Sequence, residues 1–436
     1  MSSIKDQTAI LAKLGIKELN PMQEEALSVI QSHNHSILLS PTGTGKTLAF
    51  LLPIIAELDE TCHEVQALII VPTRELAVQI AQVTQEMGTG YRNFAVYGGQ
   101  SFSNDRMNLK TPPAILIGTP GRIADHLRRE TFAIGNIKTI VLDEFDKSLH
   151  IGFEDEMREI MNALPNVKKK VLTSATQAVS IPKFVGLHNP KQINYLDQKT
   201  SQLTIKTVIS PDKDKLETLR KTLEHIGNEP GIVFCNFKET IQRVSDYLSN
   251  YSVSHVCFYG GMEQKDREQA LILFRNGTHK LIIATDLAAR GIDVPEIKFI
   301  IHYQLPLKSE EFTHRNGRTA RMFNDGTAYV IKWEKEELPP FIKDAKVEKL
   351  QKAKAPIQSE WKTVYITGGK KDKISKGDIA GLFFKQGNLT KEQLGNIELK
   401  QDCAFVAVHK SEVNNVIKLL NNAKLKNKKV RISLVE

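Results

Sequence analysis

Two tandem α/β domains with parallel sheets, followed by a small α+β domain, are predicted by three observations on this 436-residue chain. Short continuous apolar runs alternate with helical periods from about residue 30. That rhythm pauses over a polar stretch at 196–205 and then resumes. The charge balance changes abruptly in the last fifth of the sequence. The length suits two or three domains at a loose prior of about 150 residues each.

In the first domain (residues 1–200) the strand-like runs are SILLS at 36–40, ALIIVP at 67–72, AILIGTP at 114–120, TIVLDE at 139–144 and KVLTSA at 170–175. Strands that are apolar throughout, with amphipathic stretches between them, imply a parallel sheet covered on both faces. GIVFCN (231–236), SHVCFYGG (254–261), KLIIATD (280–286) and FIIHYQLP (299–306) repeat the pattern and place a second α/β domain over residues 206–338. Residues 339–360 are charged, open on Pro339 and Pro340, and read as a helix-capable linker. Residues 361–436 then run strand, helix, strands, helix and strand, a compact α+β order.

Residues 345–436 hold 19 Lys and Arg against 9 Asp and Glu, net +10, which leaves 40 against 41 in the rest of the chain. A neutral body with a basic end implies a machine carrying a module for a polyanion. Cys62, Cys235, Cys257 and Cys403 are scattered without a C-x-x-C pair, which argues against zinc and disulfides and for buried free thiols in a reducing cytosol. His33 and His35 have no partner cysteines and read as loop polarity. The start MSSIKDQ lacks the build of a signal peptide, and no apolar run approaches the roughly 18 residues of a membrane span. A cytoplasmic protein is expected.

SPTGTGKT at 40–47 follows a strand and precedes a helical run, the context of a phosphate-binding loop. Gly43 and Gly45 permit a tight turn whose N–H groups face phosphate at a helix N-terminus. Ser40, Thr42 and Thr44 complete the loop, with Ser40 where the strict pattern has Gly. Lys46 adds charge at the β- and γ-phosphates of a nucleotide, and Thr47 offers a hydroxyl to Mg²⁺. VLDEFD at 141–146 ends a strand in carboxylates. Asp143 is suited to hold Mg²⁺, and Glu144 to polarise the attacking water.

With PTRELAVQ (72–79), Gly98 and Gly99, TPGR (119–122), SAT (174–176), ATDLAARGID (284–293) and HRNGRTAR (314–321), the chain resembles the DEAD-box RNA helicases over roughly residues 15–330, with the signature written DEFD. The resemblance implies two RecA-like domains and an RNA-stimulated ATPase. It implies RNA contacts through Arg74, Gly99, Thr119, Arg122, Arg267 and Thr285, made to phosphates and sugars rather than bases. Gly291 and Asp293 would approach the ribose. Arg318 and Arg321 would be arginine fingers. Asp146, Ser174, Thr176 and His314 would link the nucleotide and RNA sites. Gln23 resembles the glutamine that reads adenine, but Asn20 replaces the usual Thr or Ser, and no aromatic residue precedes Phe50. Adenine stacking is therefore left open. Phe145 stands where the signature has Ala, and Gln304 where Asp is common.

VYITGG at 364–369 looks like the short strand motif of an RNA-recognition fold, and QDCAFVAV at 401–408 fits its longer motif in part. Tyr365 and Phe405 are stacking groups or strand core; the sequence leaves both readings open. Lys370, Lys371, Lys373, Lys426 and Lys428 are candidate phosphate contacts. The segment resembles the C-terminal domain of the DbpA branch of bacterial DEAD-box helicases, which implies structured large-subunit ribosomal RNA as target and ribosome assembly as setting. The alternatives are a general RNA chaperone helicase on structured messages and a DNA helicase of the same superfamily. A monomer is expected.

Overall fold

The computed structural model describes residues 6–41, 43–176, 181–196, 203–286, 294, 297–319, 325–342, 345–351 and 359–435. They form two compact units, one within residues 1–200 and one from residue 201 onward.

The first unit is built on seven parallel strands: β1 (His35–Leu39), β2 (Ala67–Ile70), β3 (Asn93–Val96), β4 (Ile115–Gly118), β5 (Thr139–Leu142), β6 (Lys169–Ser174) and β7 (Lys191–Asn194). Their order is β3-β4-β2-β5-β6-β1-β7. Alternate residues serve opposite faces. Ile69, Val141 and Val171 join Phe50, Leu51 and Ile54 of the helix Lys46–Glu57 in one core. Leu68, Ile70, Ile140 and Leu142 join Ile123 and Ile160 in the other. The five strands expected from sequence are present. The two edge strands were not expected, because β3 has one buried residue and β7 has one, so neither shows a continuous apolar run.

The second unit repeats the plan with β8 (Leu203–Ser210), β9 (Gly231–Phe234), β10 (Val256–Phe258), β11 (Leu281–Ala284), β12 (Phe299–His302), β13 (Gly326–Trp333) and β14 (Lys346–Val347), ordered β10-β11-β9-β12-β13-β8-β14. Two expectations need correction. The polar stretch 196–205 enters β8 at Leu203, where pairing with Gly326 of β13 begins. The segment 339–360 contains no helix among its described residues. Instead Ile342 is buried beside Phe312 and Val330, and Lys346 and Val347 pair with Lys206 and Thr207. Local composition missed this because the partners lie about 140 residues upstream.

Residues 361–435 of the same unit carry an antiparallel sheet of β15 (Trp361–Ile366), β16 (Leu394–Leu399), β17 (Ala404–His409) and β20 (Ile432–Leu434), ordered β16-β17-β15-β20, with the small pair β18 (Lys424–Leu425) and β19 (Lys428–Lys429) beside it. Val364, Ile366, Ala404, Val406 and Val408 face a core shared with Ile379, Phe383 and Val416 of two helices. The strand, helix, strands, helix, strand order is as expected. Of the four cysteines only Cys235 is buried; the others are half-buried, so the expectation of four buried thiols is corrected. No helix among the described residues is long and apolar enough to cross a membrane.

Candidate nucleotide and RNA site

Parallel α/β sheets gather their functional loops at the carboxyl ends of the strands. In the first sheet β5, β6 and β1 are neighbours, so the loops carrying DEFD, SAT and the phosphate loop emerge side by side. The main chain ties them: Ser40 N–H donates to the Ser174 carbonyl at 3.1 Å, and Asp143 N–H to Ile70 O at 2.9 Å.

Gly43 (φ +82°) and Gly45 (φ +85°) occupy the left-handed region that the loop demands. No side-chain cap bond is made at the start of the helix Lys46–Glu57 that follows, and a helix N-terminus of this kind suits an anion. Lys46 is buried, its ammonium donating to the carbonyls of Ser40 and Pro41 at 2.7 Å each. The Ser40 and Thr44 hydroxyls lie 2.7 Å apart. Thr47, half-buried, stands at the second residue of the helix. These are the donors that triphosphate oxygens require. Thr42 lies outside the described residues.

Asn20 caps the helix Pro21–Ser32 in a reciprocal capping box with Gln23. Its amide also donates to Thr44 O at 3.1 Å, and the Gln23 amide donates to Gly45 O at 3.2 Å. A side chain at Gly45 would collide with that amide. The substitution of Asn for Thr or Ser thus keeps a capping oxygen and adds a donor to the phosphate loop. Asp6, where an aromatic residue was sought, caps the helix Gln7–Lys13 through Thr8 N–H.

Asp143 and Glu144 are both buried. Glu144 sits at φ +48°, a conformation that a side chain other than Gly rarely adopts and that functional sites tolerate. The Thr173 hydroxyl donates to Asp143 and accepts from Glu144 N–H at 3.1 Å. Lys147, wholly buried, pairs with Glu144 at 2.5 Å. Burial first, and then the Glu144 charge, raise the Asp143 carboxyl above the ordinary range, against the pull of Thr173, Lys46 and Lys147. The Asp143 and Thr47 oxygens are hard donors of the kind that Mg²⁺ takes. Phe145 turns away into the apolar cluster with Leu68, Ile140 and Met157, so its bulk is absorbed by the core. Asp146 accepts from the Thr176 hydroxyl at 3.0 Å, and the Ser174 hydroxyl donates to Thr176 O at 2.7 Å.

The other half of the same sheet end, β3-β4-β2, assembles the RNA candidates. Arg74 begins the helix after β2, and its guanidinium lies over the Gly98–Gly99 turn after β3. Gly99 has φ +89°, and an added Cβ would come within 2.5 Å of Arg74 Nη1. Thr119 precedes the helix Pro120–Arg128 after β4. Arg122 on that helix donates to Tyr97 O at 3.2 Å and to Gln100 O. Arg74, Gly99, Thr119 and Arg122 therefore meet around one turn. Residues not expected from sequence hold Arg122, directly or through a shared partner. The buried Asp105 carboxylate pairs with it at 3.2 Å and with His126 at 3.4 Å, and Phe102 lies under the guanidinium at 5.6 Å. Only the one-turn spacing of Arg122 and His126 on one helix hinted at this.

In the second unit the loops after β9, β11 and β12 are joined by Arg315, which is 1% exposed. It pairs with Asp286 at 2.5 Å and donates to Asn236 Oδ1 and Gln304 O at 2.8 Å each. Gln304 also accepts from Asn236 N–H at 2.7 Å, which gives this departure a structural task. Arg315 lies inside HRNGRTAR but was not among the residues expected at the site, because its partners are non-local. Arg318 and His314 are buried on or just after the helix Ser309–Asn316. Arg267 is held over Phe258 at 4.4 Å and donates to Tyr259 O at 3.2 Å, and Thr285 follows β11. Gly291, Asp293 and Arg321 lie outside the described residues.

On the C-terminal sheet Tyr365 and Phe405 are opposite each other, rings 5.4 Å apart and edge to face, on the side away from the core. The core reading of these two is thereby excluded. Lys428 pairs with Asp372, and Lys426 with Asp378, at 2.8 Å each. Lys371 pairs with Asp402, and Lys370 and Lys373 are exposed. Lysines from the two ends of the domain thus share one surface.

Residues 20–184 match the DEAD/DEAH box helicase family, residues 214–323 the helicase conserved C-terminal domain, and residues 363–434 the DbpA RNA binding domain. The chain is 32% identical to the ATP-dependent RNA helicase DbpA of Escherichia coli (strain K12), over 99% of this chain and 97% of that protein. It is 30% identical to the ATP-dependent RNA helicase DbpA of Bacillus subtilis (strain 168), over 97% and 96%. Among solved structures it is similar to S. cerevisiae Dbp5 bound to RNA and ADP BeF3, with TM-score 0.66 and 26% identity over 75% of this chain and 86% of that one. With the phosphate loop, the buried carboxylate pair and the arginine-bearing turns in place, the chain belongs to the DEAD-box ATP-dependent RNA helicases, ATP-hydrolysing enzymes, and carries a DbpA RNA-binding domain.

Proposed function

We propose that this helicase separates short RNA duplexes locally and is directed by its C-terminal domain to structured ribosomal RNA during large-subunit assembly. The observation that carries the targeting is the joining of the 370–373 and 426–428 lysines on one face of a DbpA-type domain. Such a face binds phosphate, while the nearly neutral motor grips RNA without reading it.

In the motor, Lys46 and the Ser40–Gly45 backbone hold the triphosphate, and Gln23 supports that loop. Thr47 and Asp143 would hold Mg²⁺, which supplies charge neutralisation at the outer phosphates. Glu144 orients the attacking water and takes its proton. Arg318 and Arg321 offset the charge that develops on the γ-phosphate, and Gly291 and Asp293 meet the ribose. Arg74, Gly99, Thr119, Arg122, Arg267 and Thr285 hold one strand by its phosphates. Asp146, Ser174, Thr176 and His314 carry the link between the two ligands, so that each favours the state the other binds. A monomer acting in the cytoplasm fits this reading.

The test compares ATPase stimulation by fragments of large-subunit ribosomal RNA with that by an unrelated structured RNA of equal length. Half-saturation at least about tenfold lower for one ribosomal fragment supports the targeting, a difference of about 1.4 kcal/mol. Equal stimulation overturns it in favour of a general RNA chaperone helicase.

A further inference from the structure

The two motor sheets share one strand order, so β8 to β14 stand in the places of β1 to β7. The strand ends that hold the RNA candidates can therefore be matched. Tyr97-Gly98-Gly99 follows β3 and Tyr259-Gly260-Gly261 follows β10, with Gly99 and Gly261 both at φ +89°. Each tyrosine carbonyl accepts from a guanidinium at 3.2 Å, that of Arg122 in the first unit and of Arg267 in the second. After β4, Thr119 N–H donates to Val96 O at 3.2 Å; after β11, Thr285 N–H donates to Phe258 O at 3.3 Å.

One position breaks the match. The helix after β2 begins at Arg74, behind Thr73, whose hydroxyl accepts from Leu76 N–H at 3.3 Å. The helix after β9 (Lys238–Asn250) begins at Lys238, behind Phe237, and has no side-chain cap bond. The backbone is nearly the same at both, φ −134° and ψ 155° at Thr73 against −128° and 149° at Phe237. A threonine would fit at 237 and cap the helix, which stabilises it. Instead an aromatic ring stands there 58% exposed. Folding gains nothing from this: a cap is forgone and apolar surface is left in water.

The ring is carried on a fixed backbone. Asn236, just before it, donates to Leu305 O at 3.0 Å and accepts from Arg315 at 2.8 Å. The Lys238 ammonium, just after it, lies 5.3 Å over the Tyr259 ring. The strand order β10-β11-β9 sets Phe237 beside the strand end that carries Thr285, with the Tyr259–Arg267 pair one strand further on. Cationic donors and an exposed aromatic ring in one row are the combination by which a single strand is held without its sequence being read.

We propose that Phe237 is a further RNA contact of the second motor domain, its ring packed on a nucleoside of the strand whose phosphates meet Arg267, Thr285 and Lys238. Lys238 takes the place that Arg74 has in the first domain. The inference rests on the RNA track proposed above.

The test measures binding of single-stranded oligouridine to the full chain with a non-hydrolysable ATP analogue, beside a thermal melt. Phe237→Thr should raise the melting temperature, because a cap is restored, and weaken RNA binding about 5- to 150-fold, the range for loss of one stacked ring. A ring kept for folding alone would give a lower melting temperature and unchanged binding. Phe237→Trp should keep the affinity. On an abasic strand, a Phe237→Thr loss that persists assigns the ring to the ribose, and one that vanishes assigns it to the base. Arg267→Ala is measured alongside. If it weakens binding while Phe237→Thr binds as the wild type does, this inference is overturned; if neither variant weakens binding, the track itself is overturned.

Discussion

Replacing Gly99 by Ala tests how the RNA turn of the first domain is built. Two costs follow from the geometry. The residue sits at φ +89°, where a Cβ is strained by about 1–2 kcal/mol. The new methyl would also stand 2.5 Å from Arg74 Nη1 and 3.0 Å from its Cζ, so the guanidinium must leave the turn. The strain should lower the melting temperature of this unit by roughly 2–8 °C, at about 2–4 °C per kcal/mol. Displacing one charged phosphate donor costs about 1.5–3 kcal/mol of RNA binding, or roughly 10- to 150-fold. The assay is RNA half-saturation of the ATPase, with Arg74→Ala and the double variant alongside. Because both changes remove the same contact, the double should be no worse than Arg74→Ala alone. Additive losses, or a Gly99→Ala enzyme with wild-type half-saturation, would refute the reasoning.

Phe145→Ala restores the common signature, yet it should destabilise the first unit by about 3–5 kcal/mol in a urea melt, because the ring is 3% exposed in a packed core. ATP turnover per folded molecule should stay unchanged, since Phe145 makes no polar contact with the site. Asp105→Asn should weaken RNA half-saturation and cost on the order of 3 kcal/mol, as Arg122 loses a carboxylate that is 1% exposed. Burial lowers the His302 imidazole to about 3 and that of His279 to about 4. Both are neutral in the folded state while the unfolded chain protonates near 6.5, so stability present above that pH is lost as pH falls from about 6.5 towards 4. A urea series across pH 4.5–7.5 should show this fall, and His279→Gln should flatten it.

Legibility in the sequence followed locality. Continuous apolar strands with motif-bearing ends, such as ALIIVP before Arg74 and TIVLDE into Glu144, exposed both the parallel sheets and the loops they position. Edge strands such as β7, with one buried residue, carry too little pattern to be read. The 339–360 segment misled because the strand it pairs with, β8, lies about 140 residues upstream. The phosphate loop and carboxylate pair were readable as contiguous motifs. What supports them was not: Thr173, Asp105 and the Arg315–Asp286 pair act across 17 to 30 residues and are recruited only by the fold. The Arg275–Glu398 ion pair spans 123 positions and left no local trace.

The most direct measurement is RNA-stimulated ATP turnover by Glu144→Gln. The account requires a fall of at least about 100-fold, the usual weight of a positioned proton acceptor, with ATP-dependent RNA binding retained. Multiple-turnover hydrolysis near the wild-type rate would contradict the site as assigned.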